Sequence, residues 1–261
     1  MKAQEFITHL RAQGRYSFNT LDAQTSLELN MPATLNALKR LKGKGYIVSP
    51  AKSFYNIVPP EYQALGCLPA EMFVHELMKH LNLPYYIGFL SAAQYYGAAH
   101  QKPQRFQVVT TKNRPAIHCG RIYIEFIANK NASNMPINKF NTPAGTINVA
   151  TPELIAGDIV TFPRHAGGIN NVATILFELA EKIDINKLEA LSKLIPKIFW
   201  LQRLGYLFEF LEITELANGI EKIITGKKHN WILLVSYMPY NPIIRIKKWR
   251  IIVNTDVEID E

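Results

Sequence analysis

The sequence predicts an α+β fold in which a small N-terminal domain, residues 1–62, precedes a larger mixed α/β domain, residues 69–261. Two helical patterns and then two short β-type runs occupy the first domain. Pro59-Pro60 follows them, and each proline removes a backbone donor and disfavours helix in the residue before it. We therefore place the domain boundary between Pro60 and Pro69.

The larger domain is predicted from a change in the hydrophobic pattern along the chain. β-branched runs predict a small sheet within about 105–150, and helical periodicity then continues over 151–225. Apolar runs within 231–253 predict terminal strands, so the helices form a C-terminal helical part of this domain. The apolar stretch Ile195–Ile213 contains two basic and two acidic residues, Lys197 and Glu209 among them, so a buried amphipathic helix is favoured over a membrane span.

The first domain begins with an amphipathic helix over residues 2–13. A second helix follows, with Thr20 as its expected cap, and a third begins at Asn30, whose side chain is suited to accept an unpaired backbone N–H. Pro32 is tolerated in the first turn, and Gly43 with Gly45 ends the helix near Lys42.

Two β-type runs complete this domain, with Ser49-Pro50 as the expected turn and Lys52 at the tip. The order of these elements is that of a winged helix-turn-helix, a module that inserts one helix into the DNA major groove.

The third helix has one apolar face and one polar face. Thr34, Leu38 and Leu41 are spaced four and three residues apart, which predicts that they pack inward. The opposite face provides small, amide and basic side chains, and Asn pairs with adenine, Arg with guanine and Lys with phosphate. The candidate DNA-binding residues are Ala33, Asn36, Lys39, Arg40, Lys42 and Lys52. An ordinary solvated helix face is the alternative interpretation.

The charge of the chain supports a polyanionic partner for the first domain. Residues 1–60 contain eight basic and three acidic residues, so they hold +5 of the net charge of +8. The two cysteines, Cys67 and Cys119, have no metal-ligand spacing, and the N-terminus has no apolar run typical of a signal peptide. A cytoplasmic protein with no membrane partner is expected.

The larger domain has few residues arranged for catalysis. Its helices are expected over Pro69–Leu81, from about Gly88 to Tyr96, from Thr151 to about Phe162, and after Asp184 with breaks at Pro196 and Gly205. No phosphate-binding loop or zinc motif is present, so we expect no catalytic residue, no metal and no cofactor. Glu125, on a predicted strand, is interpreted as a solvent-facing carboxylate.

One segment of this domain has the composition of a binding site. Arg164 and His165 precede a Gly-Gly turn, and Asn170 or Asn171 is expected to cap the next helix. An anion such as a phosphate, a nucleotide end or a partner's carboxylate would fit there. The alternative is a connector in which Arg164 pairs with Asp158 or Glu153 and His165 fills a polar pocket.

Three sequence blocks together resemble one known family. The blocks are Ser53–Tyr62 (SFYNIVPPEY), Tyr85–Ala93 (YYIGFLSAA) and Phe162–Thr174 (FPRHAGGINNVAT). In this order they resemble the AbiEi family, bacterial antitoxins of type IV toxin–antitoxin systems with an N-terminal winged helix. The resemblance covers roughly residues 5–215.

The resemblance implies two activities linked to abortive infection and phage defence. The winged helix would bind repeated half-sites in its own promoter and repress it, through Asn36, Lys39, Arg40 and Lys52. The C-terminal domain would neutralise a nucleotidyltransferase-like toxin without a stable complex.

The chain departs from the common family pattern at Asn30-Met31-Pro32, where Ser-Arg is frequent, so its operator contacts are expected to differ. An enzyme or nucleotide-binding protein acting through Arg164 and His165, or a protein-interaction module, is the alternative.

Overall fold

The structure, a computed structural model, describes residues 1–99 and 104–258 and divides into two compact units. The first unit comprises Met1–Ile87, Gln104–Ser133 and Lys139–Asn148. The second comprises 88–99, Asn134–Asn138 and 149–258. The fold is α+β, as predicted from the sequence.

The first unit begins with three helices and a three-stranded sheet that share one apolar core. The helices are α1 (Ala3–Ala12), α2 (Thr20–Leu27) and α3 (Met31–Gly43), and the strands are β1 (Ser17–Asn19), β2 (Ile47–Ala51) and β3 (Phe54–Ile57). The strand order is β1-β3-β2, and both pairs are antiparallel. The residues of the shared core are Phe6, Ile7, Leu10, Phe18, Ala23, Leu27, Ala37, Leu38, Leu41, Ile47 and Ile57.

Two local predictions for this region were wrong. The cap of α2 is Asn19, which accepts the Asp22 backbone N–H at 2.9 Å while the Asp22 carboxylate accepts the Asn19 N–H at 3.0 Å. Thr20 instead lies inside the helix, and its hydroxyl is buried without a partner. Such a reciprocal arrangement satisfies two end donors at once, which a threonine one residue later does not do.

The wing turn also lies elsewhere than predicted. Ser49-Pro50 is part of β2, where the register with β3 shifts between Val48 and Ala51. A bulge leaves a backbone nitrogen unpaired, so proline is tolerated there. The Ser49 hydroxyl donates to the carbonyls of Ala51 and Phe54, and the chain reverses at Lys52-Ser53, with Ser53 at φ +60°.

A six-stranded sheet forms most of the rest of the first unit. Its order is β6-β7-β5-β4-β9-β8, from strands β4 (Tyr85–Ile87), β5 (Phe106–Thr110), β6 (Ile117–Cys119), β7 (Ile122–Ala128), β8 (Ile137–Thr142) and β9 (Gly145–Ala150). β5 and β7 are parallel, whereas β4–β5 and β6–β7 are antiparallel. Within the sheet predicted over about 105–150, the sequence indicated strands at 106–111, 121–127, 137–142 and 146–150, which are β5, β7, β8 and β9. β4 and β6 are three residues long and were missed. The helix expected over Pro69–Leu81 is a 3-10 turn, Ala70–Met72, followed by α4 (Val74–His80).

The second unit is mainly helical. Its helices are α5 (Phe89–Ala93), α6 (Pro152–Thr161), α7 (Ile169–Leu179), α8 (Ile185–Leu194), α9 (Phe199–Phe210) and α10 (Thr214–Ile224). Thr151 caps α6 as predicted, and Leu154, Ile155 and Ile159 of that helix are fully buried. α6 is therefore the central helix of this unit.

The sequence predicted a helix break at Gly205, and this prediction was wrong. α9 continues through it, and a Cβ atom at this position would lie 2.2 Å from the Trp249 ring. The absence of a side chain at Gly205 therefore lets the buried indole contact the helix backbone.

Three short strands follow α10: β10 (Ile232–Leu233), β11 (Ile244–Ile246) and β12 (Ile251–Val253), in the order β10-β12-β11. Within residues 1–99 and 104–258, no helix combines the length and apolar character that crossing a bilayer requires.

Candidate functional site

The start of α3 is fixed by a side-chain cap, as predicted. The Asn30 side-chain oxygen accepts the Ala33 N–H at 3.0 Å, and the Thr34 hydroxyl donates to the Asn30 carbonyl at 3.0 Å. Thr34, Leu38 and Leu41 are buried in the core of the winged helix. The cap and the buried face together determine which residues of α3 face solvent.

The opposite face of α3 presents the predicted polar residues to solvent. Asn36, Lys39, Arg40 and Lys42 are exposed, and Ala33 is half-buried. The Arg40 Nε–H donates to the Asn36 carbonyl at 3.3 Å, which directs the guanidinium along the helix. No carboxylate of the described residues pairs with Arg40, so its terminal N–H groups are available to a base edge or a phosphate.

Lys52 lies at the tip of the wing, as predicted. Its side chain is exposed, and its backbone carbonyl lies 3.0 Å from His80 Nε2. The His80 ring also packs against Phe54 at the start of the returning strand, at 5.3 Å between centroids. The lysine thus extends from a backbone turn that is held in place from within the same unit.

A small groove of about 190 Å³ separates α3 from the wing strands. Its lining includes the predicted Lys39 and Lys42 together with Leu35, Ser49 and Tyr55, which the sequence did not single out. Leu35 is an exposed leucine on an otherwise polar face, and an apolar side chain of this kind suits contact with a thymine methyl group.

The segment after α6 does not form the predicted ion pair. Arg164 lies over the Tyr237 ring, with 4.3 Å from its central carbon to the ring centroid, and not against Glu153 or Asp158. Glu153 is buried and accepts the Asp184 backbone N–H at 3.0 Å. His165 packs beside the rings of Phe89 and Phe162, so its surroundings are largely aromatic.

The predicted caps at Asn170 and Asn171 were wrong. α7 begins at Ile169, so both asparagines lie in its first turn, and Gly168 precedes it at φ +105°. Asn171 donates to the Ala166 carbonyl at 2.7 Å, and the Asn170 side-chain oxygen accepts the Glu258 N–H at 3.3 Å. Gly167 at φ +79° and Gly168 at φ +105° let the chain turn into α7 without backbone strain, and no side chain of the described residues caps this helix.

Three further features bear on an enzymatic interpretation. Glu125 on β7 is half-buried and lies 4.0 Å from Arg105, whereas the sequence suggested a solvent-facing carboxylate. In the part of the chain that the structure describes, no three His, Cys, Asp or Glu side chains come together as metal ligands. An open groove of about 970 Å³ between α8 and α10 is lined by Glu189, Lys193, Lys222 and neighbouring residues.

Comparison with known proteins gives one family and one fold. Residues 86–210 match the model of the AbiEi antitoxin C-terminal domain. The structure is similar to the crystal structure of the RV2827C protein from Mycobacterium tuberculosis, with a TM-score of 0.70 and 15% sequence identity over 95% of this chain and 90% of that one. At this identity the likeness concerns the fold alone. No curated protein matches the sequence significantly.

Proposed function

We propose that this chain, whose residues 86–210 match the AbiEi antitoxin C-terminal domain, is an antitoxin of a toxin–antitoxin system that also represses its own promoter by binding DNA through α3 and the wing. The observation that carries this proposal is the exposed face of α3, with Asn36 and Arg40 one turn apart. A buried opposite face and a capped start hold that helix in one orientation.

The division of labour among these side chains follows from their chemistry. Arg40 provides two terminal N–H groups for a guanine edge, and Asn36 provides a donor and an acceptor for adenine. Lys39, Lys42 and Lys52 contribute charge to phosphates on either side of the groove, which positions the module without selecting a sequence. Ala33, small and near the start of the helix, allows close approach of the backbone.

One α3 helix contacts one half-site, so repeated half-sites in the promoter imply at least two bound copies of the protein. The net charge of +5 over residues 1–60 favours association with the polyanion before any specific contact forms. Both activities would take place in the cytoplasm, where the promoter is located.

The second activity concerns the toxin. We assign neutralisation of a nucleotidyltransferase-like toxin to the C-terminal domain, in a type IV manner that needs no stable complex and serves abortive infection of phage-infected cells. Arg164, His165, Asn170 and Asn171 form the candidate functional site of that domain, at the first turn of α7 and the segment before it.

A reporter experiment separates the two activities. The promoter upstream of this gene drives a reporter in cells that express wild-type protein, the Asn36→Ala/Arg40→Ala variant or the Lys187→Ala control, whose changed side chain is exposed on α8. We expect repression by wild type and control and its loss in the double variant, while rescue of growth from the toxin is the same in all three. Equal repression by the double variant would overturn the assignment to α3.

A further inference from the structure

The outer face of the C-terminal sheet carries an arginine between two exposed aromatic rings. Arg245 lies over the Trp231 ring at 6.0 Å, and its Nη2 donates to the Tyr240 hydroxyl at 2.9 Å. Trp231 is 41% exposed and Tyr240 59% exposed. We call Trp231, Tyr240, Arg245 and the neighbouring Arg250 the tail patch. It lies beyond residue 210, where the family match ends.

The strand register explains why these side chains face outward. Ile251 of β12 pairs with Ile232 and Ile246 and is fully buried, so that face of the sheet packs inward. Arg245 pairs with Ile252, one residue further along β12, and successive residues of a strand point to opposite faces. Ile252 is itself only 9% exposed, but Arg245 on the edge strand β11 is exposed, so its side chain projects from the outer face, the one opposite to Ile251.

The loop that bears Tyr240 is held in a defined conformation. The Asn254 side chain is buried, accepts the Val235 N–H at 3.1 Å and donates to the carbonyls of Val235 and Pro239. Arg250 Nη1 donates to the His229 carbonyl just before Trp231. The rings are thus presented by backbone that is already fixed before a ligand binds.

The charge around the patch is positive. Lys227, Lys228, Arg245, Lys247 and Arg250 are exposed, and among residues 1–99 and 104–258 no carboxylate lies within 4.0 Å of any of them. Lys248 differs, because it contacts Glu209 and Glu221 at 3.3 Å each. Desolvation lowers its pKa, but these two carboxylates together raise the pKa above the ordinary lysine value.

We propose that the tail patch binds a single strand of nucleic acid, whose unpaired bases stack on Trp231 and Tyr240 while its phosphates contact Arg245 and Arg250. Exposed rings beside unpaired cations are the two features that sequence-independent binding of single strands requires. In a duplex the base faces are stacked on one another, so a duplex would contact the positive charges of the patch but would not stack on its aromatic rings. This site is separate from α3 and extends the proposed function.

The test uses the full chain and 20-nucleotide oligo(U) and oligo(dT) probes that carry an end-attached fluorophore, so the anisotropy of the probe gives the affinity of every variant, including those without Trp231. Intrinsic tryptophan fluorescence is recorded separately with unlabelled probes. Trp200 and Trp249 are buried, so quenching on binding reports on Trp231, which alone among the three tryptophans is exposed. We expect Trp231→Ala to weaken binding about 5- to 100-fold, the range of one lost base stack. Trp231→Phe should bind within about threefold of wild type but without the quench.

Two further variants identify the site. Arg245→Ala should weaken binding of both probes, whereas Lys187→Ala should leave it unchanged because that exposed lysine lies on α8, outside the tail patch. The proposal is overturned if Trp231→Ala and Arg245→Ala bind the probes as wild type does, if Lys187→Ala weakens binding as much as Arg245→Ala does, or if poly-glutamate competes as well as the oligonucleotides. Capture of the toxin that depends on Trp231, with no binding of either oligonucleotide, would overturn it in favour of a protein partner.

Discussion

The side-chain oxygen of Asn30 lies 3.0 Å from the backbone nitrogen of Ala33, and this hydrogen bond closes the first turn of α3. Asn30 is exposed and is not part of the apolar core, so it stabilises the fold only through the start of the helix. The orientation of Asn36 and Arg40 toward solvent depends on where that helix begins.

We predict that Asn30→Ala destabilises the winged helix by about 0.5–2 kcal/mol, the usual cost of a lost N-cap. Hydrogen exchange of the amides in the first turn of α3 should become faster, since one end donor then has no partner. Asn36→Ala is the matched control, because that side chain caps nothing. Equal protection in both variants would show that the cap does not stabilise the helix.

Gly205→Ala should destabilise the second unit by about 1–3 kcal/mol, the range for overpacking a filled core. The added Cβ atom would lie 2.2–2.6 Å from three carbons of the Trp249 ring, so either the helix or the indole has to move. Urea denaturation measures the change. Gly43→Ala is the control, because no atom lies within 4 Å of a Cβ atom there. Similar losses in the two variants would contradict close packing at Gly205.

The stability of the first unit should fall at alkaline pH because of Tyr85. Burial raises the pKa of Tyr85 to about 12, above the value near 10 of an exposed tyrosine. The neutral side chain therefore stabilises the fold fully below pH ~10, and this contribution disappears as the pH rises through the folded-state pKa. Its upper limit is about 2–3 kcal/mol.

Comparison with Tyr85→Phe isolates this effect. The free energy of unfolding of wild type minus that of the variant should decrease between pH 9 and pH 11.5, since phenylalanine does not ionise. Urea titrations at several pH values provide the measurement. Parallel pH profiles would mean that Tyr85 ionises alike in the folded and unfolded chain.

Lys52→Ala should weaken DNA binding by a similar factor for specific and nonspecific duplexes. A lysine at the wing tip meets phosphate, so its loss removes charge contacts without changing sequence preference. The slope of log affinity against log salt should become shallower by about one. An unchanged slope, with Lys187→Ala as the control for loss of a positive charge in the other unit, would remove Lys52 from the interface.

The features predicted correctly depend on local chemistry. The cap at Asn30, the end of α3 at Gly43 and the buried face at Leu38 follow from residues a few positions apart. The errors arose where contacts between residues far apart in sequence determine the local secondary structure. Pro50 fits within a strand because β3 allows a bulge, and Gly205 lies within a helix because Trp249, 44 positions later, contacts it.

The candidate sites show the same distinction. The exposed face of α3 follows from helical periodicity alone. The aromatic partner of Arg164 could not be predicted from the sequence, because Tyr237 belongs to a loop far along the chain. In sequence, its ring was indistinguishable from a core aromatic. Strand β4 was missed because three residues, Tyr85–Ile87, are too few to give a pattern and pair with a strand some twenty positions away.

The central claim is that α3 binds the promoter of its own gene, and the affinity of the purified full chain for that fragment tests it most directly. Wild type and Lys187→Ala should bind alike and more tightly than to unrelated DNA of equal length. Asn36→Ala/Arg40→Ala should bind roughly 30- to 20,000-fold more weakly, from the loss of two base contacts of about 1–3 kcal/mol each. Equal affinity of wild type and the double variant, or equal affinity of wild type for the promoter and unrelated DNA, would contradict the claim.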